Sequence, residues 1–144
     1  MSRSILKQMN NAQEAIRNLI FPLFKDAAGG PYTVYLYGSR AAGGARVDSD
    51  TDFAVFGPAP LDHEELERIR DSLIDLLGDV DCVDMRRIPL TLAAQVLDSG
   101  IVLLPGDDAE RARLETRLMS MYANLNEERN GIIADIVKRG SVYA

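Results

Sequence analysis

The chain has 144 residues, 47% of them hydrophobic and 26% charged, which is ordinary globular usage and enough for one domain spanning 1–144 with its own core, without disulfides or a structural metal. A single cysteine, Cys82, and a single histidine, His63, exclude an internal disulfide and Cys/His zinc chemistry. With 16 Lys+Arg against 22 Asp+Glu, a net charge of −6, and no apolar run near the ~20 residues that cross a bilayer, the expectation is a cytoplasmic protein with no membrane or direct nucleic-acid partner.

From Gln8 to Lys25, Met9, Ala12, Ile16, Leu19, Ile20 and Leu23 recur at three- and four-residue steps, which predicts an amphipathic helix ended by Gly29-Gly30-Pro31. Tyr32 to Tyr37, aromatic and β-branched, predicts a buried strand that stops at Gly38. The small-residue stretch from Gly38 to Arg46 leaves room for a short helix after Ser39 and then a glycine-rich turn. Thr51 to Phe56 reads as a second strand, stopped by Gly57-Pro58. Asp62 reads as the N-cap of a helix carrying Leu66, Ile69, Leu73, Ile74 and Leu77 and closed by Gly78. Val80 to Met85 is a third strand, Pro89 to Leu97 a helix, and Ile101 to Leu104 a fourth strand. Asp107 to Arg139 has helical character throughout, with Asn130-Gly131 as the point where it would break or kink. Helices alternating with strands predict a layered α/β fold.

Chemistry is concentrated in the run Asp48-Ser49-Asp50-Thr51-Asp52. With 14 aspartates in 144 residues, composition alone supplies about one Asp-x-Asp pair by chance, so the pair by itself says little. An EF-hand loop starting at Asp48 fails, because its sixth and twelfth positions are Phe53 and Ala59 instead of Gly and Glu. What matters is that Asp50 and Asp52 fall at the entry to a strand, where residues two apart share a face at about 6.6–7 Å. Carboxylates so placed can share Mg²⁺ ions of the kind that serve phosphoryl and nucleotidyl transfer. A third carboxylate would come from Val80-Asp81-Cys82-Val83-Asp84-Met85. Asp81 and Asp84 have opposite parity, so only one of them can face the first two, and alternation does not say which.

Gly38-Ser39, at a strand end before a short helix, offers backbone N–H groups and a hydroxyl to an anion such as a triphosphate tail. Neither a Walker A loop nor a Gly-x-Gly-x-x-Gly turn is present, which sets aside P-loop and dinucleotide-fold chemistry. His63 reads as a solvated residue at a helix start. Arg86, Arg87, Arg111, Arg113 and Arg117 read as exposed cations, and Tyr122, Tyr143, Met119 and Met121 as packing or interface residues.

Taken together, the segment from Gly38-Ser39-Arg40 through Ser49-Asp50-Thr51-Asp52-Phe53 resembles the signature of the DNA polymerase beta-type nucleotidyltransferase superfamily in its minimal, MntA-like branch. That signature runs from Gly-Ser through a small glycine-containing loop to Ser-Asp-x-Asp on the next strand. The similarity extends through Val83-Asp84, the strand after Gly100 and the long C-terminal helix. It implies an α/β (α+β) nucleotidyltransferase fold, a small mixed sheet packed with helices. It also implies two Mg²⁺ ions held by Asp50, Asp52 and Asp84, with ATP as substrate and its phosphates at Gly38, Ser39, Arg40 and Arg46. Ala42 departs from the pattern, where many relatives carry arginine. The resemblance further implies AMP transfer from ATP to a hydroxyl, specifically a tyrosine of a partner HEPN-domain (HepT-like) ribonuclease toxin, with this chain as the antitoxin. Two alternatives stay open: a non-catalytic antitoxin acting by complex formation, and a small-molecule adenylyltransferase of the aminoglycoside-modifying kind.

Overall fold

The computed structural model describes residues 9–38, 41 and 50–139. Helix α1 (Asn11–Lys25) begins three residues later than the periodicity alone suggests. The reason is a capping box: Asn10 Oδ1 accepts from the Gln13 N–H at 2.8 Å and Gln13 Oε1 accepts from the Asn10 N–H at 2.9 Å, which fixes the first turn there. Helix α2 (His63–Leu77) starts as expected after Asp62, whose side chain accepts from the Glu65 N–H, and ends at Gly78 in the left-handed region (φ +85°). Helix α3 (Leu90–Ser99) follows Pro89, and helix α4 (Asp108–Arg139) runs for 32 residues.

The strands are β1 (Thr33–Tyr37), β2 (Thr51–Phe56), β3 (Val80–Asp84) and β4 (Ile101–Pro105), forming one mixed sheet in the order β3-β2-β1-β4. β1 is antiparallel to both β2 and β4, whereas β2 and β3 run parallel, joined by the crossover through α2. This arrangement brings the C-terminal end of β1 and the N-terminal ends of β2 and β3 to the same end of the sheet.

Strand alternation divides the core in two. On one face Val34, Leu36, Phe53, Val55 and Cys82 pack against Ile20 and Phe24 of α1 and Leu73 of α2. On the other Tyr35, Tyr37, Ala54 and Phe56 pack against Ala93 and Val96 of α3 and Leu114 of α4. Both faces are covered, which is why β1 is buried at every position instead of showing a polar alternate. Cys82 lies in the first of these clusters, and burial pushes its thiol up to about 12, so it behaves as a small core residue.

Two expectations from the sequence are corrected along α4. Asn130-Gly131 does not break the helix, which continues to Arg139; one internal glycine costs only about 1 kcal/mol against alanine, too little to end a helix of this length. Arg111 is not an exposed cation. It is 4% exposed, donates to the Pro105 carbonyl at 2.9 Å, and lies 3.6 Å from Glu115, so it ties the start of α4 to the end of β4. Arg86 and Arg87 are likewise engaged. Arg86 lies over the Phe56 ring at 4.5 Å and donates to the carbonyls of Gly57 and Pro58, and Arg87 donates to the Leu61 carbonyl.

Candidate active site

Three strand ends meet at one corner of the sheet. Tyr37, the last residue of β1, is directly opposite Asp52 in β2, and Asp52 is opposite Asp81 in β3. Residues that pair across neighbouring strands share a face, so the side chains of Tyr37, Asp52 and Asp81 form one row on the face that carries α3 and α4. The start of β2 is fixed against the same neighbour, because the Thr51 N–H donates to the Asp79 carbonyl at 3.1 Å. Asp50 precedes the strand and is exposed, Asp52 is half-buried, and Asp81 is exposed.

Gly38 follows directly, with φ +76°, a conformation that glycine adopts freely and other L-residues do not. A methyl group placed there would collide with the carboxylate of Asp52. The turn and the aspartate therefore occupy adjoining space, and only a residue without a side chain lets the backbone come so close. Gly38→Ala is expected to lower stability by about 1–2 kcal/mol through the left-handed strain, and to push the Asp52 carboxylate aside. A displacement of that size costs on the order of a hundredfold in a positioned reaction. Thermal melts and the transfer rate, measured on the same preparation, check both effects.

Among the described residues, the row is acidic and no lysine or arginine forms an ion pair with Asp50, Asp52 or Asp81. Partial burial, reinforced by the negative charges of Asp81 and Asp50, holds the carboxyl of Asp52 above its ordinary value of 3.8. Burial, with the negative charges of Asp52 and Asp81, pushes the Tyr37 phenol up to about 12. Carboxylates gathered at one sheet end, all of them hard oxygen donors, fit a divalent cation of the Mg²⁺ class. Among the described residues, no group of three or more aspartate, glutamate, histidine or cysteine side chains is placed to hold a metal ion. Mg²⁺ does not require one, since it is commonly held by one or two carboxylates together with substrate phosphates and water.

Asp84, which the resemblance selects as the third ligand, is not in this row. It stands opposite Val55, on the face covered by α1 and α2, and its residue is only 2% exposed. Both its oxygens are already used. Oδ2 accepts from the Leu61 N–H at 3.0 Å and Oδ1 from the Arg86 N–H at 2.9 Å, with the Arg87 guanidinium 3.7 Å away. Asp84 organises the turn before α2 and the turn after β3. Asp81 takes the place beside Asp52 because strand parity, set by the β2–β3 register, turns it to the same face. Tyr37 is the other member of the row, and aromatic patterning showed it only as a core strand residue. The further candidates Ser39, Arg40 and Arg46 lie outside the described residues, and His63 is an exposed residue at the start of α2.

A glycine turn abutting a strand with an Asp-x-Asp entry, and a further carboxylate one strand over at the same sheet end, define a site of the nucleotidyl-transfer class. The family model described as polymerase beta, nucleotidyltransferase matches residues 22–109. The chain belongs to this family and is a nucleotidyltransferase with the family's fold.

Comparison with solved structures adds similar chains from toxin–antitoxin complexes. One, from a toxin–antitoxin crystal structure with AMP-PNP, is 32% identical with a TM-score of 0.71, the alignment covering 84% of this chain and 98% of that one. A second, from the tri-AMPylated HEPN toxin of Shewanella oneidensis in complex with MNT antitoxin, is 30% identical with a TM-score of 0.67, covering 87% and 98%. A third, from a crystal structure of the toxin–antitoxin MntA–HepT, is 30% identical with a TM-score of 0.66, covering 86% and 98%. No curated protein matched the chain.

Proposed function

We propose that this chain is an antitoxin that transfers AMP from ATP to a hydroxyl of a partner HEPN-domain toxin, the acceptor being a tyrosine, in a Mg²⁺-dependent reaction carried out by one cytoplasmic domain. The observation that carries the reading is the row of Asp52 and Asp81 against the Gly38 turn, in a chain of the nucleotidyltransferase family. The solved relatives supply the nucleotide and the acceptor, since one was crystallised with AMP-PNP and another with a tri-AMPylated HEPN toxin. A protein acceptor also suits the second half of α4. Beyond Glu115 no residue of that helix is buried, and Ile132, Ile133 and Val137 are 60%, 57% and 73% exposed, an apolar surface suited to another protein.

In this reading Asp50, Asp52 and Asp81 would hold two Mg²⁺ ions. When bound, those ions would offset the negative charge of the triphosphate and make the acceptor hydroxyl more acidic. The chain's own contribution is positional. The backbone at Gly38, with Ser39, Arg40 and Arg46, receives the phosphates, and the carboxylates of the row lie beside them. The acceptor oxygen bonds to the α-phosphorus as the bond to the β-phosphate oxygen breaks, and pyrophosphate leaves. Asp81, the exposed carboxylate on the outermost strand of the three, is placed to take the hydroxyl proton.

The test is to incubate the chain with its HEPN partner, ATP and Mg²⁺ and to weigh the intact partner by mass spectrometry. The expected result is an increase by whole AMP units, located on tyrosine by fragmentation and abolished by EDTA. An unmodified partner that is inhibited only in stoichiometric complex would overturn the catalytic reading in favour of a binding antitoxin. Modification of an aminoglycoside with none of the partner would assign the activity to small molecules instead.

A further inference from the structure

Gln13 is a long polar side chain in a place where such residues are seldom buried. It stands in the first turn of α1, yet the residue is only 5% exposed. Its Oε1 accepts from the Asn10 N–H at 2.9 Å and closes the capping box, which a glutamate would do equally well. Its Nε2 donates to the Ala41 carbonyl at 3.1 Å, 28 residues along the chain, which an ionised glutamate cannot do. One partner is a backbone donor and the other a backbone acceptor, so the amide fits only one way round and no ionised side chain serves both. Helix capping therefore accounts for the oxygen of Gln13, and Ala41 accounts for the nitrogen.

Ala41 also packs its side chain against the core cluster that contains Ile20 and Phe24 of α1, so it is held by two contacts of different kinds. It comes three residues after Gly38, which is held in turn against the Asp52 carboxylate. Ser39 and Arg40, outside the described residues, fall between these two anchors in the chain. A backbone that receives phosphates binds them more tightly when it is fixed beforehand, because ordering a loose turn on binding costs affinity.

We propose that Gln13 is a positioning residue of the nucleotide site: from the first turn of α1 its amide nitrogen fixes Ala41, and with it the far end of the stretch that starts at Gly38 and receives the triphosphate. The inference rests on the nucleotide-binding reading given above and adds to it a residue from outside the strand ends.

The experiment uses the full chain with Mg²⁺ and AMP-PNP, binding being followed by titration calorimetry and melting measured on the same samples. Gln13→Glu keeps the oxygen that closes the capping box and puts an acceptor where the donor was. It is expected to bind AMP-PNP roughly tenfold more weakly per folded molecule. Asn10→Ala removes the other half of the cap and leaves Gln13 its donor, so it is expected to melt earlier and to bind AMP-PNP like the parent. Gln13→Met removes both bonds without burying a charge; it is expected to lose affinity as Gln13→Glu does, and it carries the test if the glutamate variant does not fold. Parent-like affinity in either folded Gln13 variant would overturn the role of Gln13 and leave the nucleotide site standing. Equal losses of affinity in Asn10→Ala and the Gln13 variants would show that the start of α1 matters and the bond to Ala41 does not, which also overturns it. No AMP-PNP binding by the parent chain would overturn the nucleotide reading and the positioning role together.

Discussion

Asp81→Asn is expected to abolish transfer and leave the fold intact, whereas Asp84→Asn is expected to do the reverse. Asp81 is exposed, sits beside Asp52, and among the described residues its side chain makes no hydrogen bond. Removing its charge deletes a carboxylate from the site at little structural cost. Loss of groups that merely support a metal ligand costs ten- to hundredfold, so loss of a ligand itself is expected to cost at least about a hundredfold in rate. Asp84 is buried and each of its oxygens receives one backbone N–H. An asparagine can accept with only one oxygen, so either the buried Leu61 N–H or the part-buried Arg86 N–H is left unpaired, at about 1–3 kcal/mol. For a domain of this size that corresponds to a fall in melting temperature of roughly 2–4 °C per kcal/mol. Transfer rates normalised to folded protein, together with thermal melts, separate the two variants. Lost activity in a well-folded Asp84→Asn, with Asp81→Asn fully active, would reinstate Asp84 as the ligand.

Asp52→Asn is expected to be inactive and, without divalent ions, more stable than the parent protein. The folded chain holds the Asp52 proton more tightly than the unfolded chain does, because burial and the charges of Asp81 and Asp50 disfavour the carboxylate. A carboxyl group whose value is raised on folding makes no difference to stability below its unfolded value. It removes stability as pH rises from that value through the folded one, and the loss is complete above. Asparagine does not titrate. The gain in melting temperature from Asp52→Asn in EDTA is therefore expected at neutral pH and should vanish as pH is lowered below the ordinary value of 3.8. Adding Mg²⁺ with a non-hydrolysable ATP analogue should raise the parent's melting temperature and not the variant's, since only a chain that binds the ligand is stabilised by it. A variant that is less stable than the parent at neutral pH in EDTA would show that Asp52 is a structural residue and not an electrostatically strained site carboxylate.

Much of this architecture was legible locally. The strand Thr51–Phe56 follows from its β-branched and aromatic run between polar and Gly-Pro boundaries, and α2 follows from Asp62 at one end and Gly78 at the other. These signals are short-range, because caps and turns are decided by a residue's own side chain and backbone. The start of α1 is blurred in the sequence because Met9 continues the apolar spacing, and only the mutual hydrogen bonds of Asn10 and Gln13 decide the boundary. The burial of Arg111 is hidden from the sequence for a related reason. An arginine on a helix is exposed by default, and its burial depends on a carbonyl at the end of β4 and a carboxylate one turn further along.

The site shows the same division. Asp50 and Asp52 were found from spacing at a strand entry, and Gly38 from its place after a strand. Choosing between Asp81 and Asp84 required the register between β2 and β3, and assigning Tyr37 required the register between β1 and β2. The sequence by itself determined the order of helices and strands, the acidic strand entry, the glycine turn and the resemblance to nucleotidyltransferases, all of which are properties of contiguous residues. Only the tertiary structure decided which carboxylate joins Asp52, because a shift of one residue between paired strands exchanges their faces, and that register is set by contacts between segments distant in the chain.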